Sequence, residues 1–376
     1  MRNAFGRRLA VRWAAAVQVT LLAVLGTVAA SAGTANAVTA PGTVLLSSTA
    51  SLPSELAPLA TGKRIAYVTT NVSGAATVAT GLILTPKTGK TNRTVAWGHG
   101  TTGLADKCAP SAAQTVFWPE ARAAIAALLR KGWTVAAPDY PGLGTPEAHP
   151  YLVGASEGRS IIDSVKAARN LDPALTTDYA VDGHSQGGQG ALFAGQLAPS
   201  YDGSLVLRGV ATIAPASNLD LIAPDIPGTP GQGYLVMALY GINAVEPTFK
   251  PDTYLAAPAK QKSGVLQSGC LNEILAAYAP LTPEQLVPGG VVPQAVITKL
   301  AQYGNPGGTA PSAPILIVQG TADEAVPYAI TAGPLMDSLS RYRQPVEFIT
   351  LDGETHDGAV FASVDTVANW LADRFS

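Results

Sequence analysis

The run from Tyr179 to Gly188, Tyr-Ala-Val-Asp-Gly-His-Ser-Gln-Gly-Gly, constrains this chain more than any other. An apolar strand-like stretch stops at Gly183-His184-Ser185-Gln186-Gly187, and a helix-like pattern begins at once. A G-x-S-x-G at a strand-to-helix junction is so sharp that its flanking positions exclude bulky side chains, and it pushes the serine Oγ into a cleft. The chain must therefore supply a buried strand before the motif and a helix after it. Ser185 is expected to sit there in a strained backbone as a nucleophile.

The surrounding pattern agrees. Residues 38–60 are rich in Ala, Ser and Pro and are expected to be an extended lead-in. Strands are expected at 65–70, 76–84, 94–97, 133–137, 179–182, 205–214, 314–318 and 346–351. Helices are expected at 119–129, 160–171, 186–198, 330–341 and 364–374. Apolar strands without clean alternation, each followed by a helix, imply a mostly parallel sheet covered on both faces, an α/β architecture. Residues 217–311 break that rhythm. They are rich in Pro and Gly yet carry apolar pieces, and a structureless loop of that length is improbable. They are expected to form a mainly helical cap between two core segments, 38–216 and 312–376. A flexible insertion is the alternative. Leu235, Met237, Leu239, Tyr240 and Ile274 are expected to line an acyl-binding wall, or simply to pack the cap.

Residues 1–37 stand apart. Arg2, Arg7, Arg8 and Arg12 precede an apolar run from Ala14 to Ala30, and Ala35-Asn36-Ala37 offers a cleavage site. This is the pattern of a secretory signal peptide. Gln18, Thr20 and Gly26 interrupt the run and argue against a membrane anchor, and the Arg7-Arg8 pair hints at twin-arginine export. The whole chain has a net charge of −2 with 13% charged residues, and the leader removes four arginines and no acid. Such a chain is a poor nucleic-acid partner. In an exported protein its two cysteines, Cys108 and Cys270, suggest one disulfide pinning cap to core, with two buried thiols as the alternative. Four scattered histidines and two cysteines offer no metal-ligand spacing, so neither metal nor cofactor is expected.

A serine hydroxyl needs a histidine to take its proton and a carboxylate to hold that histidine in the right tautomer. In the chain order Ser, acid, His, these follow the last strands. Asp323 comes just after strand 314–318, with Glu324 as the fallback. His356 follows strand 346–351. His99 and His149 precede the serine, and His184 is expected to turn away from the cleft. The oxyanion needs pre-aimed N–H donors. Gln186 N is one. The other is expected from Gly98-His-Gly-Thr-Thr-Gly103, with Thr101 favoured and Thr102 next.

These residues resemble the α/β-hydrolase superfamily and, more narrowly, the secretory lipase family of fungi and actinobacteria. The matching stretches are Trp97–Gly103, Cys108–Ser111, Asp139–Thr145 with His149-Pro-Tyr151, Gly183–Gly188, and Gln319–Asp323 with Val326-Pro327. The resemblance implies extracellular ester hydrolysis without a cofactor, a helical cap inserted before the acid-bearing strand, and a disulfide near the oxyanion loop. It implies a small-molecule or lipid ester as partner, with transient contact at a lipid interface. Two rivals share the scaffold. A prolyl or short-peptide aminopeptidase would need an acidic amine site, for which Asp225, Glu246 or Glu273 is available. A non-catalytic binding protein would have no use for the Ser185, Asp323 and His356 set.

Overall fold

The computed structural model describes residues 40–376, so the expected leader at 1–37 lies outside the described residues. Nine strands form one sheet in the order β1-β2-β3-β5-β4-β6-β7-β8-β9. They are β1 (Val44–Ala50), β2 (Ala60–Thr70), β3 (Ala76–Pro86), β4 (Thr94–Gly98), β5 (Thr134–Pro138), β6 (Asp178–His184), β7 (Val206–Ile213), β8 (Ile315–Gly320) and β9 (Val346–Leu351). β1, β2, β3 and β5 pair antiparallel in turn, and every pairing from β5 to β9 is parallel.

β4 and β8 are buried at every position. Successive residues on such a strand point to opposite faces, so both faces need cover. Leu316 and Val318 join one core cluster, with Val95, Leu128 and Leu371, under α1 (Pro119–Arg130) and the C-terminal helix. Ile317 joins the other, with Ile161, Val181 and Leu192, under α2 (Gly154–Leu171) and α3 (Gln186–Tyr201). This is an α/β-hydrolase fold.

Between β7 and β8 the chain forms helices and no strand, among them α4 (Gln232–Val245), α5 (Leu271–Tyr278) and α6 (Gln294–Gly304). The insertion has its own apolar cluster, including Val236, Met237, Leu239, Ile274, Leu286 and Leu300. A disulfide between Cys108 and Cys270 ties the start of α5 to the loop after β4. No helix of the described residues is long and apolar enough to cross a membrane.

Several boundaries differ from expectation. The lead-in contains β1, an edge strand whose centre, Leu46-Ser-Ser-Thr49, is exposed and carries little apolar signal. α2 begins at Gly154, six residues early. The last helix, α7 (Gly358–Phe375), likewise begins six residues early.

Candidate active site

Parallel strands all point the same way, so the loops leaving their carboxyl ends gather at one rim. The ends of β4, β6, β8 and β9 bring Gly100-Thr101, Ser185, Asp323 and His356 there. Ser185, Thr101 and His356 line a single cavity of about 760 Å³.

At the elbow, Ser185 has φ 57° and ψ −118°, outside the basins that L-residues normally occupy. Such a conformation costs on the order of 1–3 kcal/mol and persists only when its surroundings over-determine it. Here they do. Ser185 N donates to Ile213 O at 3.0 Å, and Ser185 O accepts from Gln189 N and Ala216 N. A Cβ on Gly183 would lie 2.2 Å from Gly187 O, and one on Gly187 would lie 2.0 Å from Gly98 O. Glycine at 183 and 187 is thus what lets the elbow close against β4.

His356 Nδ1 lies 2.7 Å from Asp323 Oδ2. The carboxylate is itself fixed: Oδ1 accepts from Ala325 N and Val326 N, both at 2.8 Å, and Oδ2 accepts from Gln319 Nε2 at 2.8 Å. Its side chain is fully buried, whereas the His356 ring keeps 18% of its surface open. Among the described residues, the hydrogen bonds of His356 go to Asp323 through the ring and to His184 through the carbonyl. Ser185 lines the same cavity as His356, and among the described residues no hydrogen bond joins its hydroxyl to that ring. Bonds of this kind are commonly long before substrate arrives.

Two backbone amides are free at this rim. Among the described residues, neither Gln186 N nor Thr101 N donates to a protein acceptor. Gln186 is the first residue of α3, whose N-terminal dipole favours negative charge. Thr101 lines the cavity and Thr102 does not; the Thr102 carbonyl instead accepts from Leu271 N at 2.8 Å.

Behind these amides lies a buried polar network. Thr101 Oγ1 and Tyr151 OH share a hydrogen bond of 2.8 Å, and Trp118 Nε1 donates to Thr101 O. The Gln186 side-chain amide donates to His149 Nε2 at 3.1 Å and to Glu157 Oε1 at 2.8 Å. His149 Nδ1 in turn donates to Pro141 O, and burial lowers its pKa to about 4, so the ring is a neutral acceptor at Nε2. The Tyr140 hydroxyl donates to His99 O, and the two rings stack at 4.4 Å. The stretch from Asp139 to Tyr151 is therefore a buttress for the loop and elbow that carry the free amides.

A model of the secretory lipase family matches residues 90–376. The chain belongs to that family. It is 27% identical over 341 residues to the secreted triacylglycerol lipase LIP7 of Malassezia globosa, covering 83% of this chain and 70% of that one. Solved structures share the fold at about 20% identity. Candida antarctica lipase A in its closed state superposes with a TM-score of 0.72 over 89% of this chain and 82% of that one. The rice cell wall degrading esterase LipA of Xanthomonas oryzae superposes with a TM-score of 0.70 over 89% and 99%. As a secretory lipase, this protein is a carboxylic ester hydrolase.

Three expectations about the site of this secretory lipase need correction. His184 does not turn away: it is among the cavity-lining residues, its buried ring lies 4.6 Å from the His356 ring, and Nε2 donates to the His356 carbonyl at 3.2 Å. Leu235, Met237, Leu239 and Ile274 are buried in the core of the insertion, and Tyr240 packs against it; the cavity wall takes Tyr234, Leu271 and Asn272 instead. The acids suggested for an amine site are elsewhere. Glu246 pairs with Lys299, Glu273 accepts from Cys270 N, and Asp225 is exposed. The acids lining the cavity are Glu120, Glu324 and Asp357.

Sequence reasoning missed Glu157 altogether, since it lies before the expected start of α2. It is fully buried, Oε2 has no partner, and desolvation raises its pKa from 4.5 to about 8. A carboxyl group that is neutral when folded and ionised when unfolded loses stability as pH rises from about 4.5 to about 8, and the loss levels off above that. Its size is roughly 3–5 kcal/mol. Glu157→Gln mimics the protonated acid. The variant should melt near the wild-type temperature at about pH 5 and clearly above it at about pH 8.5. Parallel melting curves of both proteins across that range check this. An unchanged offset at both ends would show that Glu157 is not the titrating group.

Proposed function

We propose that this protein is a secreted lipase or esterase that works through Ser185, His356 and Asp323 and forms an acyl-enzyme. Ser185 Oγ attacks the ester carbonyl while His356 Nε2 takes its proton. Asp323 holds Nδ1–H and balances the imidazolium charge. The carbonyl oxygen, now an anion, accepts from Gln186 N and Thr101 N. His356 then gives its proton to the departing alkoxide, leaving an acyl ester on Ser185. Water repeats the sequence, losing a proton to His356 and releasing the acid and free serine. Every step is a proton or acyl transfer carried by this chain's own groups.

The observation that carries the reading is the Asp323–His356 hydrogen bond at the rim of a cavity that also holds a strained Ser185 and the undonated Thr101 amide, with the undonated Gln186 amide next along the chain from the serine. The helical insertion supports a cap role, since Tyr234 and Leu271 roof the same cavity. With Trp118 and Phe361 they make a wall suited to an acyl chain. Export follows from the leader-like residues 1–37 and from relatives named as secreted lipases.

The test is labelling with a fluorophosphonate, followed by mass mapping of the adduct. The label should fall on Ser185 alone, and p-nitrophenyl butyrate turnover should stop in step with it. Full labelling at another residue, or turnover that survives modification of Ser185, would overturn the mechanism.

A further inference from the structure

His356 has a second set of neighbours that the ester mechanism does not use. His184 Nε2 lies 3.9 Å from Asp357 Oδ1, and one donor atom from each of His184, His356 and Asp357 lies within 4.8 Å of the others. All three residues line the active-site cavity. We propose that they form an inhibitory site for a divalent transition-metal cation, with zinc the best fit.

The donor chemistry suits zinc. Two imidazoles and a carboxylate, with a fourth position left to water, are a common three-ligand zinc set. Zinc–nitrogen and zinc–oxygen bonds near 2.1 Å place tetrahedral donors about 3.4 Å apart, so the cluster must tighten by roughly an ångström. The Asp357 side chain is 62% exposed and free to swing inward. His184 Nε2 donates to the His356 carbonyl at 3.2 Å. Moving its proton to Nδ1, on the side of Gly100, frees Nε2 for the metal. Asp323 occupies Nδ1 of His356 and orients that ring, as carboxylates do for zinc-bound histidines. The nitrogen left over is Nε2, the one that must accept the serine proton.

The cavity also favours cations. Glu324 and Asp357 line it, with no Lys or Arg among the lining residues. A cleft lined with one sign of charge concentrates the opposite ion. A histidine site elsewhere has little to build on: His99 and His149 are buried, and each uses Nδ1 on a backbone carbonyl. Sequence spacing concealed this cluster, because His184 lies on the elbow, far along the chain from His356 and Asp357.

The test uses tag-free protein with ZnCl₂ as the probe. Calorimetry should show one equivalent of zinc bound, and zinc should stop p-nitrophenyl butyrate hydrolysis with reversal by EDTA. Mg²⁺ and Ca²⁺, which prefer oxygen ligands, should do neither. Asp357→Asn should bind zinc about tenfold more weakly or worse and, with each protein's rate taken relative to its own zinc-free rate, need correspondingly more zinc for inhibition. No saturable binding, binding without inhibition, or zinc affinity indifferent to Asp357→Asn would each overturn the proposal. The inhibitory consequence rests on His356 acting as base, but the calorimetry does not. Failure of the ester mechanism would appear in the Ser185 labelling with zinc binding intact.

Discussion

Ser185→Ala is expected to fold as the wild type does and to lose ester hydrolysis by about 10⁴–10⁶-fold. The large loss follows from chemistry. On the proposed mechanism no acyl-enzyme forms without Oγ, and what remains is water attack helped by the two proposed oxyanion amides and by substrate binding. The small structural effect follows from geometry. The elbow is held through the backbone, by Ser185 N on Ile213 O and by Gln189 N and Ala216 N on Ser185 O, and alanine keeps all three bonds. The strain at φ 57° is shared by any L-residue with a Cβ, so alanine adds little. The measurement is initial rate on a short p-nitrophenyl ester beside a melting curve. Turnover above about one per cent of wild type in a normally folded variant would remove Ser185 from the mechanism.

The elbow and its partners were legible because each obeys a local rule. The strand end, the glycines at 183 and 187, and the order Ser185, Asp323, His356 are all imposed by close backbone approach and by sheet topology, which short motifs record. The loop's composition does not separate Thr101 from Thr102; in the fold Thr101 lines the cavity, whereas the Thr102 carbonyl holds Leu271 N. What stayed hidden depends on packing between distant segments. α2 was read too short because Gly154 and Gly158 look like a loop. A Cβ on Gly154 would lie 2.1 Å from the Phe193 ring, and one on Gly158 would lie 2.8 Å from Ala194 N, so these glycines seat α3 against α2. That early start is what brings Glu157 to the Gln186 amide. Hydrophobicity does not say which partner a helix face meets, so the sequence leaves Leu235, Met237, Leu239, Tyr240 and Ile274 open between an acyl-binding wall and cap packing. In the fold they meet the insertion itself. His184 was expected to face away because nothing in its own neighbourhood names His356 as its contact.

Replacing both cysteines by serine should cost a large part of this protein's stability. The Cys108–Cys270 bridge spans 162 residues. Loop-closure entropy for that span amounts to roughly 5 kcal/mol, lost when the unfolded chain is no longer constrained. At an unfolding entropy of roughly 2.1 cal/mol/K per residue, a chain of this size shifts by about 1.4 °C per kcal/mol, so the melting temperature should fall by about 7 °C. The consequence reaches the cavity as well. Cys270 is the residue before Leu271, whose N–H holds Thr102 O at 2.8 Å, and Thr102 follows the residue whose amide is proposed to receive the oxyanion. Cys108 is fully buried and a Cβ on Gly103 would meet its sulfur at 2.9 Å, so the bridge also presses on the end of the loop that carries Thr101. Loosening this contact should lower kcat more than it raises KM, because an amide aimed at the oxyanion acts on the transition state and not on the bound ester. A double variant with an unchanged melting temperature would mean that the insertion is held to the sheet by its apolar cluster alone. A variant destabilised but kinetically intact below its transition would separate the bridge from the oxyanion loop.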